Sequence, residues 1–360
     1  MRASACRDCR LRSALLAELG AVLDLRARSR PALVKLLDCG DLELIELIGG
    51  RRKEALRRAH TQGALGAGCP RAAAVCIHDG RFPGRLRAPS APRLLYHAGD
   101  VGLLKQSDRL PAVALLGTKR PSAYGFEMAH TLAYTLSCSG VLVVTLLADG
   151  IARAAREGAE RSIRGAVVVS ASGLQAPRAV HATRDRPRSC IAAELPPGCP
   201  GRRWGAVAAE RTVVGLADVA LVVEAASARE LFAVELARAR GVRMAAVPGR
   251  ATSPLSRGPL ELLRTGATLV RSAEDVLELL GPPETSAARA SRAPRLPSRL
   301  ARLLDRVGCG EETPERLLAG SDAGEVLLGL AELELMGRVR RTPEGRYIAA
   351  AAGTNMFLSR

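Results

Sequence analysis

Short apolar runs alternate with amphipathic stretches along the chain from residue 111 onward. The apolar runs are AVALLG, VLVVT, AVVVS, CIAAEL, VALVVEA and VRMAAVPG, at residues 112–117, 141–145, 166–170, 190–195, 219–225 and 242–249. Helical periodicity lies between them, at about residues 123–138, 150–164 and 227–240. Apolar strands that alternate with amphipathic helices are typical of a parallel sheet covered on both faces. The pattern therefore predicts an α/β core over residues 111–281, with a Rossmann-like, doubly wound, mostly parallel sheet.

The pattern changes on both sides of this predicted core. Residues 1–65 contain short amphipathic helices broken by glycines, which predicts a small helical domain. Residues 66–110 are dense in Pro and Gly and are expected to connect rather than to form a core. Residues 282–298, rich in Pro, Ala, Ser and Arg, predict a flexible basic linker. Three helical stretches and two short strands then follow over residues 299–350, in the order of a winged helix.

The charge of the chain points to a polyanionic partner. The formal net charge is +17 over 360 residues, and so large a basic excess is typical of proteins that bind nucleic acid. A coding bias toward Ala, Arg, Gly and Leu is the alternative source of part of this excess. Aromatic residues make up only 2% of the chain, which excludes a surface built on many stacked bases. Any contact with nucleic acid is therefore expected to rely on phosphates.

Cysteine and histidine usage predicts neither a disulfide framework nor a metal site. Nine cysteines are scattered along the chain, as in reduced cytosolic proteins. Cys6 and Cys9 have zinc-knuckle spacing, but no second Cys-x-x-Cys or His-x-x-x-His completes a site, so a plain reduced pair is preferred over zinc. His130 and His181 have no evident partner in the sequence, and His60, at the end of a basic helix, and His78 and His97, in the connector, suggest no site. No apolar run is long enough to span a membrane, and we expect a soluble, cytoplasmic protein.

Three turns at the predicted sheet edge carry the candidate chemistry. The ends of parallel strands meet at one edge, where helix N-termini direct unpaired N–H groups outward and often hold phosphates. The candidate residues are Gly117, Thr118, Lys119 and Arg120 in the first turn, Gly150 in the second, and Gly249, Arg250, Ser256 and Arg257 in the third. The absence of G-x-G-x-x-G favours a sugar-phosphate backbone over a dinucleotide. The alternative is that Lys119 and Arg120 merely face solvent.

Several motifs of the chain resemble those of a known family, in the same order. GTKRPSAYG is followed by ADGIARAAREGA, AELPPGCP, ERTVVGLADVALVVEA and VPGRATSPLSRGPLELLRTGATLV, and a connector, HDGRFPGRLRAPSAPRLLYHAGD, precedes them. The chain resembles the bacterial DprA (Smf) family of DNA processing proteins over nearly its whole length. The resemblance implies a SAM-like helical domain, an extended Rossmann-like core that binds single-stranded DNA, and a C-terminal winged helix. It also implies a homodimer formed through the core, and loading of the RecA recombinase onto incoming strands during natural transformation.

The family's binding motifs are only partly kept in this chain. Its G-S-R corresponds to Gly117, Thr118 and Lys119, which keeps the hydroxyl and the positive charge. The departures are Asp149 for an arginine, Ala152 for an aspartate, Ala209 for an arginine and Glu210 for an asparagine, while Arg211 keeps the family's arginine and is implied as a DNA contact. Fewer phosphate contacts weaken binding and flatten its salt dependence. Candidate replacements are Arg153, Arg156, Arg202 and Arg203.

Two further features leave alternatives open. Trp204 is the one large aromatic residue near these motifs, and it either stacks on a base or is buried. The stretch that corresponds to a recognition helix, DAGEVLLGLAELELMG, carries four acidic residues and no Lys or Arg; the acids are Asp322, Glu325, Glu332 and Glu334. Such a helix is repelled by duplex phosphates, so a protein contact is the better expectation for it.

The sequence leaves three functions to compare. The first is a single-stranded DNA-binding recombination mediator without catalytic residues, cofactor or metal. The second is a nucleotide-binding Rossmann-like sensor, and the third is a decayed paralogue that acts as a dimeric scaffold. No nucleophile elbow, P-loop or phosphoribohydrolase P-G-G-x-G-T stretch occurs in the sequence. We therefore expect the first function and no enzymatic activity.

Overall fold

A computed structural model of the chain describes most of its residues. The described residues are 5–26, 29–65, 72–87, 91–174, 188–228, 231–281, 298–307, 317, 322–335, 339–341 and 345–349. Those up to residue 281 belong to one compact unit and those from residue 298 onward to a second. Each unit is described by itself.

A sheet of nine strands forms the centre of the first unit, in the order β1-β2-β6-β5-β4-β3-β7-β8-β9. The strands are β1 (Ala74–Cys76), β2 (Leu94–Gly99), β3 (Ala112–Leu116), β4 (Leu142–Leu146), β5 (Ala166–Ser170), β6 (Cys190–Ala193), β7 (Val219–Val222), β8 (Arg243–Ala246) and β9 (Thr268–Leu269). The seven strands from β6 to β9 along this order pair in parallel, whereas β1 and β2 are antiparallel. The structure confirms the predicted doubly wound, mostly parallel sheet.

The central strands are apolar on both faces because helices cover both sides of the sheet. Every residue of β3, β5 and β7 is buried, as expected for strands that lie between two layers of helices. The helices of this unit are α1 (Arg7–Glu18), α2 (Gly20–Arg26), α3 (Arg30–Asp38), α4 (Asp41–Ile48), α5 (Lys53–Gln62), α6 (Gly102–Gln106), α7 (Ala123–Cys138), α8 (Ile151–Arg161), α9 (Arg203–Leu216), α10 (Phe232–Ala239), α11 (Arg257–Arg264) and α12 (Ala273–Leu280).

Two apolar layers fill the space between the sheet and these helices. One layer contains residues of α7, α8 and α12. The other contains residues of α9 and α10 together with leucines of the N-terminal helices, such as Leu23 and Leu33. The N-terminal helices predicted from the sequence are present, and they share a core with the sheet. The structure therefore joins the helical segment to the sheet through apolar packing.

The predicted connector contributes more to the first unit than a connection. β1 and β2 extend the sheet beyond β6, and Phe82 and Leu86 between them are 0% and 1% exposed within the core. The sequence pattern predicted no core residues here, because Pro and Gly dominate this stretch and its apolar runs are very short. The two strands add an antiparallel edge to the parallel sheet.

The second unit contains two described helices and a two-stranded antiparallel sheet. The helices are α13 (Ser298–Val307) and α14 (Ala323–Leu335), and the strands are β10 (Val339–Arg341) and β11 (Tyr347–Ala349). Most of the helix predicted between α13 and α14 lies outside the described residues, as does the predicted linker up to residue 297. The winged helix stays a prediction.

Among the helices that the structure describes, none combines the length and the apolar character required to cross a membrane.

Candidate nucleic-acid interface

The three predicted turns lie side by side at one edge of the sheet. β3 is followed in the chain by β4, β5 and β6 on one side, and β7 then returns to pair with β3 on the other side. The chain therefore changes direction between β3 and β7, and such a crevice at the carboxyl ends of the strands is where open α/β sheets bind ligands. The turns after β3, β4, β7 and β8 all border this crevice.

Glycines hold the first two turns in contact. A Cβ added to Gly117 would lie 2.6 Å from Cγ1 of Ile151 and 2.8 Å from the carbonyl oxygen of Glu224. Gly150 has a φ of +74°, and a Cβ there would collide with the backbone of Thr118 and Lys119. The backbone N–H of Ile151 donates to the carbonyl of Thr118 at 3.1 Å. These glycines allow close packing between turns of the protein itself, which gives them a structural role at this edge.

The N-terminus of α7 is filled by a carboxylate of the protein. Ser122 donates to Glu224 from its backbone N–H, at 2.9 Å, and from its hydroxyl, at 2.6 Å. The hydroxyl of Ser122 in turn accepts from the N–H of Gly125 at 3.1 Å, and Glu224 is only 4% exposed. A helix N-terminus attracts anions, and here the buried carboxylate of Glu224 takes that place. An external phosphate is therefore expected outside this position.

Two pairs of cations lie on the turns around this filled helix end. Lys119 and Arg120 are exposed on the turn after β3, and Arg250 and Arg257 are exposed after β8. We call these four residues the crest. The strands β3 and β8 are separated only by β7, which corresponds to about 10 Å between their axes. The crest therefore presents four positive charges on neighbouring turns, within the span of a few nucleotides.

The remaining residues predicted after β8 support the turn itself. Ser256 is 3% exposed, and its hydroxyl packs so closely on Gly249 that no Cβ fits there. The N–H of Ala225 donates to the carbonyl of Leu255 at 2.8 Å, which ties this turn to the turn after β7. Ser256 and Gly249 thus shape the backbone that carries Arg250 and Arg257.

An exposed aromatic side chain beside the crest was missed in the sequence analysis. Tyr124 lies in the first turn of α7, is 48% exposed, and donates its hydroxyl to the carbonyl of Pro248 at 3.2 Å. Burial, and then the negative charge of Glu224, raise the pKa of this hydroxyl. An exposed ring beside cations offers a face on which a base can stack. The signal was its place in GTKRPSAYG, directly after the basic turn.

Trp204, the aromatic residue considered from the sequence, is buried. It is 1% exposed and packs in the same apolar layer as Leu23 and Leu33. Its backbone N–H donates to Asp24 at 2.8 Å. Of the two alternatives, base stacking and burial, the structure supports burial.

Arg211 also lies in the interior, in a network of charges. It is 3% exposed, and its guanidinium donates to both carboxylate oxygens of Glu194, at 3.2 and 2.6 Å. Asp38 lies 3.7 Å away on a third side. Although burial opposes its charge, the carboxylate of Glu194 raises the pKa of Arg211. This geometry gives Arg211 a structural role, and its contact with DNA stays a prediction.

The positions that depart from the family pattern differ in their exposure. Ala152 and Ala209 are buried in the apolar layers, at 7% and 2% exposure, whereas Asp149 is exposed. Among the candidate replacements, Arg202 and Arg203 are exposed, and the guanidinium of Arg203 donates to the carbonyl of Asp24 at 2.9 Å. Arg153 lies 5.3 Å from the ring centre of Phe126, and Arg156 is half-buried 4.0 Å from Glu160. Arg153 and Arg156 lie on α8, and Arg202 and Arg203 lie at the start of α9.

A cleft of about 490 Å³ opens beside Lys119, at the ends of β4 and β5. Ser170, Ser172 and Glu210 contribute to its lining. One carboxylate oxygen of Glu210 is buried without a hydrogen-bond partner among the described residues. Burial raises the pKa of Glu210 to about 7, and the charges of Arg30 and Lys119 oppose this effect. Burial therefore disfavours the ionised form of this carboxyl group.

Comparisons with known proteins agree with this architecture. The model of a family described as DNA recombination-mediator protein A matches residues 73–281. A DprA relative from Mycobacterium tuberculosis is 34% identical over 283 residues, which cover 73% of this chain and 72% of the relative. The Smf protein of Escherichia coli is 29% identical over 300 residues, with 77% and 78% covered.

A solved structure shows the same fold. The crystal structure of DprA from Streptococcus pneumoniae superimposes with a TM-score of 0.58 at 23% identity, over 77% of this chain and 98% of that one. The family model covers more than half of the chain, and its match includes all strands from β1 to β9. The chain therefore belongs to the DprA (Smf) family of DNA recombination-mediator proteins.

Proposed function

We propose that this protein binds single-stranded DNA along the crest and acts as a recombination mediator. The observation that carries the proposal is the set of four exposed cations, Lys119, Arg120, Arg250 and Arg257, on the turns after β3 and β8, beside the switch point of the sheet. Cations on mobile side chains hold phosphates without reading sequence. Tyr124 adds one aromatic face for a base. Gly117, Thr118, Gly150, Gly249 and Ser256 support these side chains by fixing the turns.

Loading of a RecA recombinase during natural transformation, and a homodimer, are part of the same proposal. They rest on family membership. A dimer would carry two crests. A strand bound to one crest would then have a raised effective concentration at the other. Sedimentation velocity measures the dimer, and the rate of RecA filament formation on strands coated with single-strand binding protein measures the loading. A monomer that does not accelerate filament formation would contradict this part of the proposal.

The central test compares the double variant Lys119→Ala, Arg120→Ala with wild type. We expect wild type to bind labelled oligo-dT more tightly than duplex, and the double variant to lose about tenfold or more in affinity. The slope of log affinity against log salt should fall by about 1.4, because each phosphate contact to a single strand contributes about 0.7. Fluorescence anisotropy across a salt series measures both quantities.

A matched control removes the same charge elsewhere. Arg51 and Arg58 are exposed cations of the N-terminal helical segment, on none of the turns that carry the crest. The variant Arg51→Ala, Arg58→Ala should retain nearly all of the affinity. Equal losses in the two double variants would mean that net charge, and not the crest, determines binding.

A small nucleotide is the second candidate ligand, because Glu210, whose pKa burial raises to about 7, lines the cleft beside Lys119. The same experiment, repeated with free nucleotides, separates the two. Nucleotide binding without oligonucleotide binding would favour the sensor, and the absence of both would favour the scaffold.

A further inference from the structure

Four side chains with metal-binding atoms meet beside the antiparallel edge of the sheet. They are Cys6, Cys9, Cys76 and His78, and their ligand atoms all lie within 4.8 Å of one another. Nδ1 of His78 is 3.3 Å from the sulfur of Cys6, 3.7 Å from that of Cys9 and 4.0 Å from that of Cys76. In the sequence only Cys6 and Cys9 have zinc-ligand spacing, and no second pair completes them. The fold supplies the missing ligands from the strand β1 and the turn after it.

Local structure explains how each pair presents its ligands together. Cys6 precedes the first turn of α1 and Cys9 lies within that turn, so residues three apart share one side of the helix. Cys6 occupies the cap position but makes no capping hydrogen bond with its side chain. Cys76 ends β1, and His78 lies in the turn directly after it, where the N–H of Asp79 donates to the carbonyl of Cys76 at 2.8 Å. The start of helix α1 and the end of strand β1 with its turn thus supply two ligands each.

The distances from His78 to the three sulfurs fit a tetrahedral zinc site. Zinc binds sulfur at about 2.3 Å and imidazole nitrogen at about 2.0–2.1 Å, which places tetrahedral ligand atoms about 3.5–3.8 Å apart. The distances from His78 to the three sulfurs lie around this value. Three thiolates and one imidazole form a ligand set typical of structural zinc and select soft or borderline metals over Mg²⁺ or Ca²⁺.

The surroundings of the cluster are also those of a closed structural site. Cys9 and Cys76 are buried, Cys6 is half-buried and His78 is exposed. The backbone N–H of Cys6 points to the sulfur of Cys76 at 3.5 Å, and such N–H groups support a thiolate that binds a metal. The guanidinium of Arg10 holds the carbonyls of Ala5 and Ala72, both 3.3 Å away, and so ties the two ligand segments together.

We propose that Cys6, Cys9, Cys76 and His78 bind one structural Zn²⁺ that fastens helix α1 to the edge strand β1. The ion closes the chain between residues far apart in sequence and thereby stabilises the N-terminal helices on the sheet. β1 pairs with β2 on one side only, so the metal also holds the short edge strand in place. This inference is independent of the proposed DNA-binding function, since the cluster contains none of the crest residues.

The test uses the full chain, purified without a metal-chelating tag and under reducing conditions, then incubated with zinc and desalted. We expect inductively coupled plasma mass spectrometry to find about one zinc ion per chain. The variants Cys6→Ser and His78→Ala should lose most of it, while Cys138→Ser, an exposed cysteine at the end of α7, should keep it. His78→Cys should retain zinc, because four thiolates also form a structural site. A strong chelator should lower the Tm of wild type by about 5–10 °C and leave that of Cys6→Ser unchanged.

Two outcomes would overturn the proposal. One is wild type without zinc after this treatment, whether its thiols are free or Cys6 and Cys9 form a disulfide. The other is an equal zinc content in wild type, Cys6→Ser and His78→Ala. If the variants do not fold, wild type loaded with Co²⁺ decides the question: thiolate charge-transfer bands and the intense visible bands of tetrahedral cobalt support the site, and their absence contradicts it.

Discussion

Burial changes the pKa of an acidic residue at this site, Glu210. An acid in place of the family's asparagine predicts repulsion of phosphate. In the structure the carboxyl group borders the cleft beside Lys119, and burial raises its pKa to about 7. Its ionised form is therefore unfavourable in the folded protein, and its charge changes near neutral pH. Glu210 repels an anion only in its ionised form, and its ionised fraction changes with pH near neutrality.

The variant Glu210→Gln should stabilise the protein at alkaline pH. The folded-state pKa lies above the usual value, so the unfolded chain releases its proton first and wild type loses stability as pH rises from about 4.5 to about 7. We expect the variant to gain about 1–3 kcal/mol above pH 7 and little below pH 5. Urea unfolding across this range measures the difference. The exposed Glu54→Gln serves as control, and an equal, pH-independent gain in both variants would contradict the assignment.

At the scale of elements, the end of helix α7 determines where an anion is able to bind. Ser122 caps the helix, and Glu224 from the neighbouring turn accepts from its N–H and its hydroxyl. Gly125 has no room for a Cβ because the Glu224 carboxylate lies against it. The N–H of Thr118 also donates to the carbonyl of Glu224, at 2.7 Å. Glu224 therefore holds together the turns after β3 and β7 and keeps the crest in position.

Glu224→Ala should destabilise the protein by about 2–3 kcal/mol, because it leaves the cap of α7 without its buried, charged acceptor. Denaturant unfolding measures the loss. Glu127→Ala on the exposed side of the same helix removes the same side chain and should change stability by less than about 0.5 kcal/mol. Similar losses in the two variants would show that the Glu224 carboxylate contributes no more to stability than an exposed glutamate does.

At the scale of the whole molecule, one buried charge network joins the N-terminal helices to the sheet. Arg211 on α9 contacts Glu194, which follows β6, and Asp38 at the end of α3. The hydroxyls of Thr212 and Ser13 add further hydrogen bonds to Glu194, at 2.9 and 3.1 Å. Most of these groups are buried, so each needs its partners inside the protein. Arg211, which the family pattern suggested as a DNA contact, thus links the N-terminal helices to the sheet.

Arg211→Met should cost about 3–5 kcal/mol of stability, because it leaves the carboxylate of Glu194 buried without its partner. The double variant Arg211→Met, Glu194→Leu should recover much of this loss, since it removes both charges. Thermal unfolding of the three proteins measures these effects. At temperatures where Arg211→Met remains folded, its affinity for oligo-dT should match that of wild type; a loss of affinity with intact stability would instead make Arg211 a DNA contact.

Local sequence patterns were sufficient for the order of the strands and helices. The strand AVVVS at 166–170 and the helix at 123–138 have the predicted bounds, because apolar period and capping act within a few residues. The edge strands β1 and β2 were missed because Pro and Gly signals obscured their short apolar runs. The turns at the strand ends could likewise be placed next to one another, since parallel strands end at one edge.

The directions in which side chains point depended on contacts between distant parts of the chain. Trp204 and Arg211 lie on a helix that packs against α2 and α3, so burial turned both away from the surface. Glu224 reaches the end of α7 from the turn after β7, about a hundred residues later in the chain, and Cys6 and Cys9 meet Cys76 and His78 only because the start of α1 lies beside the end of β1. Periodicity and charge are local properties that the order of residues sets. A binding site needs atoms a few ångströms apart from distant residues, and folding alone brings these together.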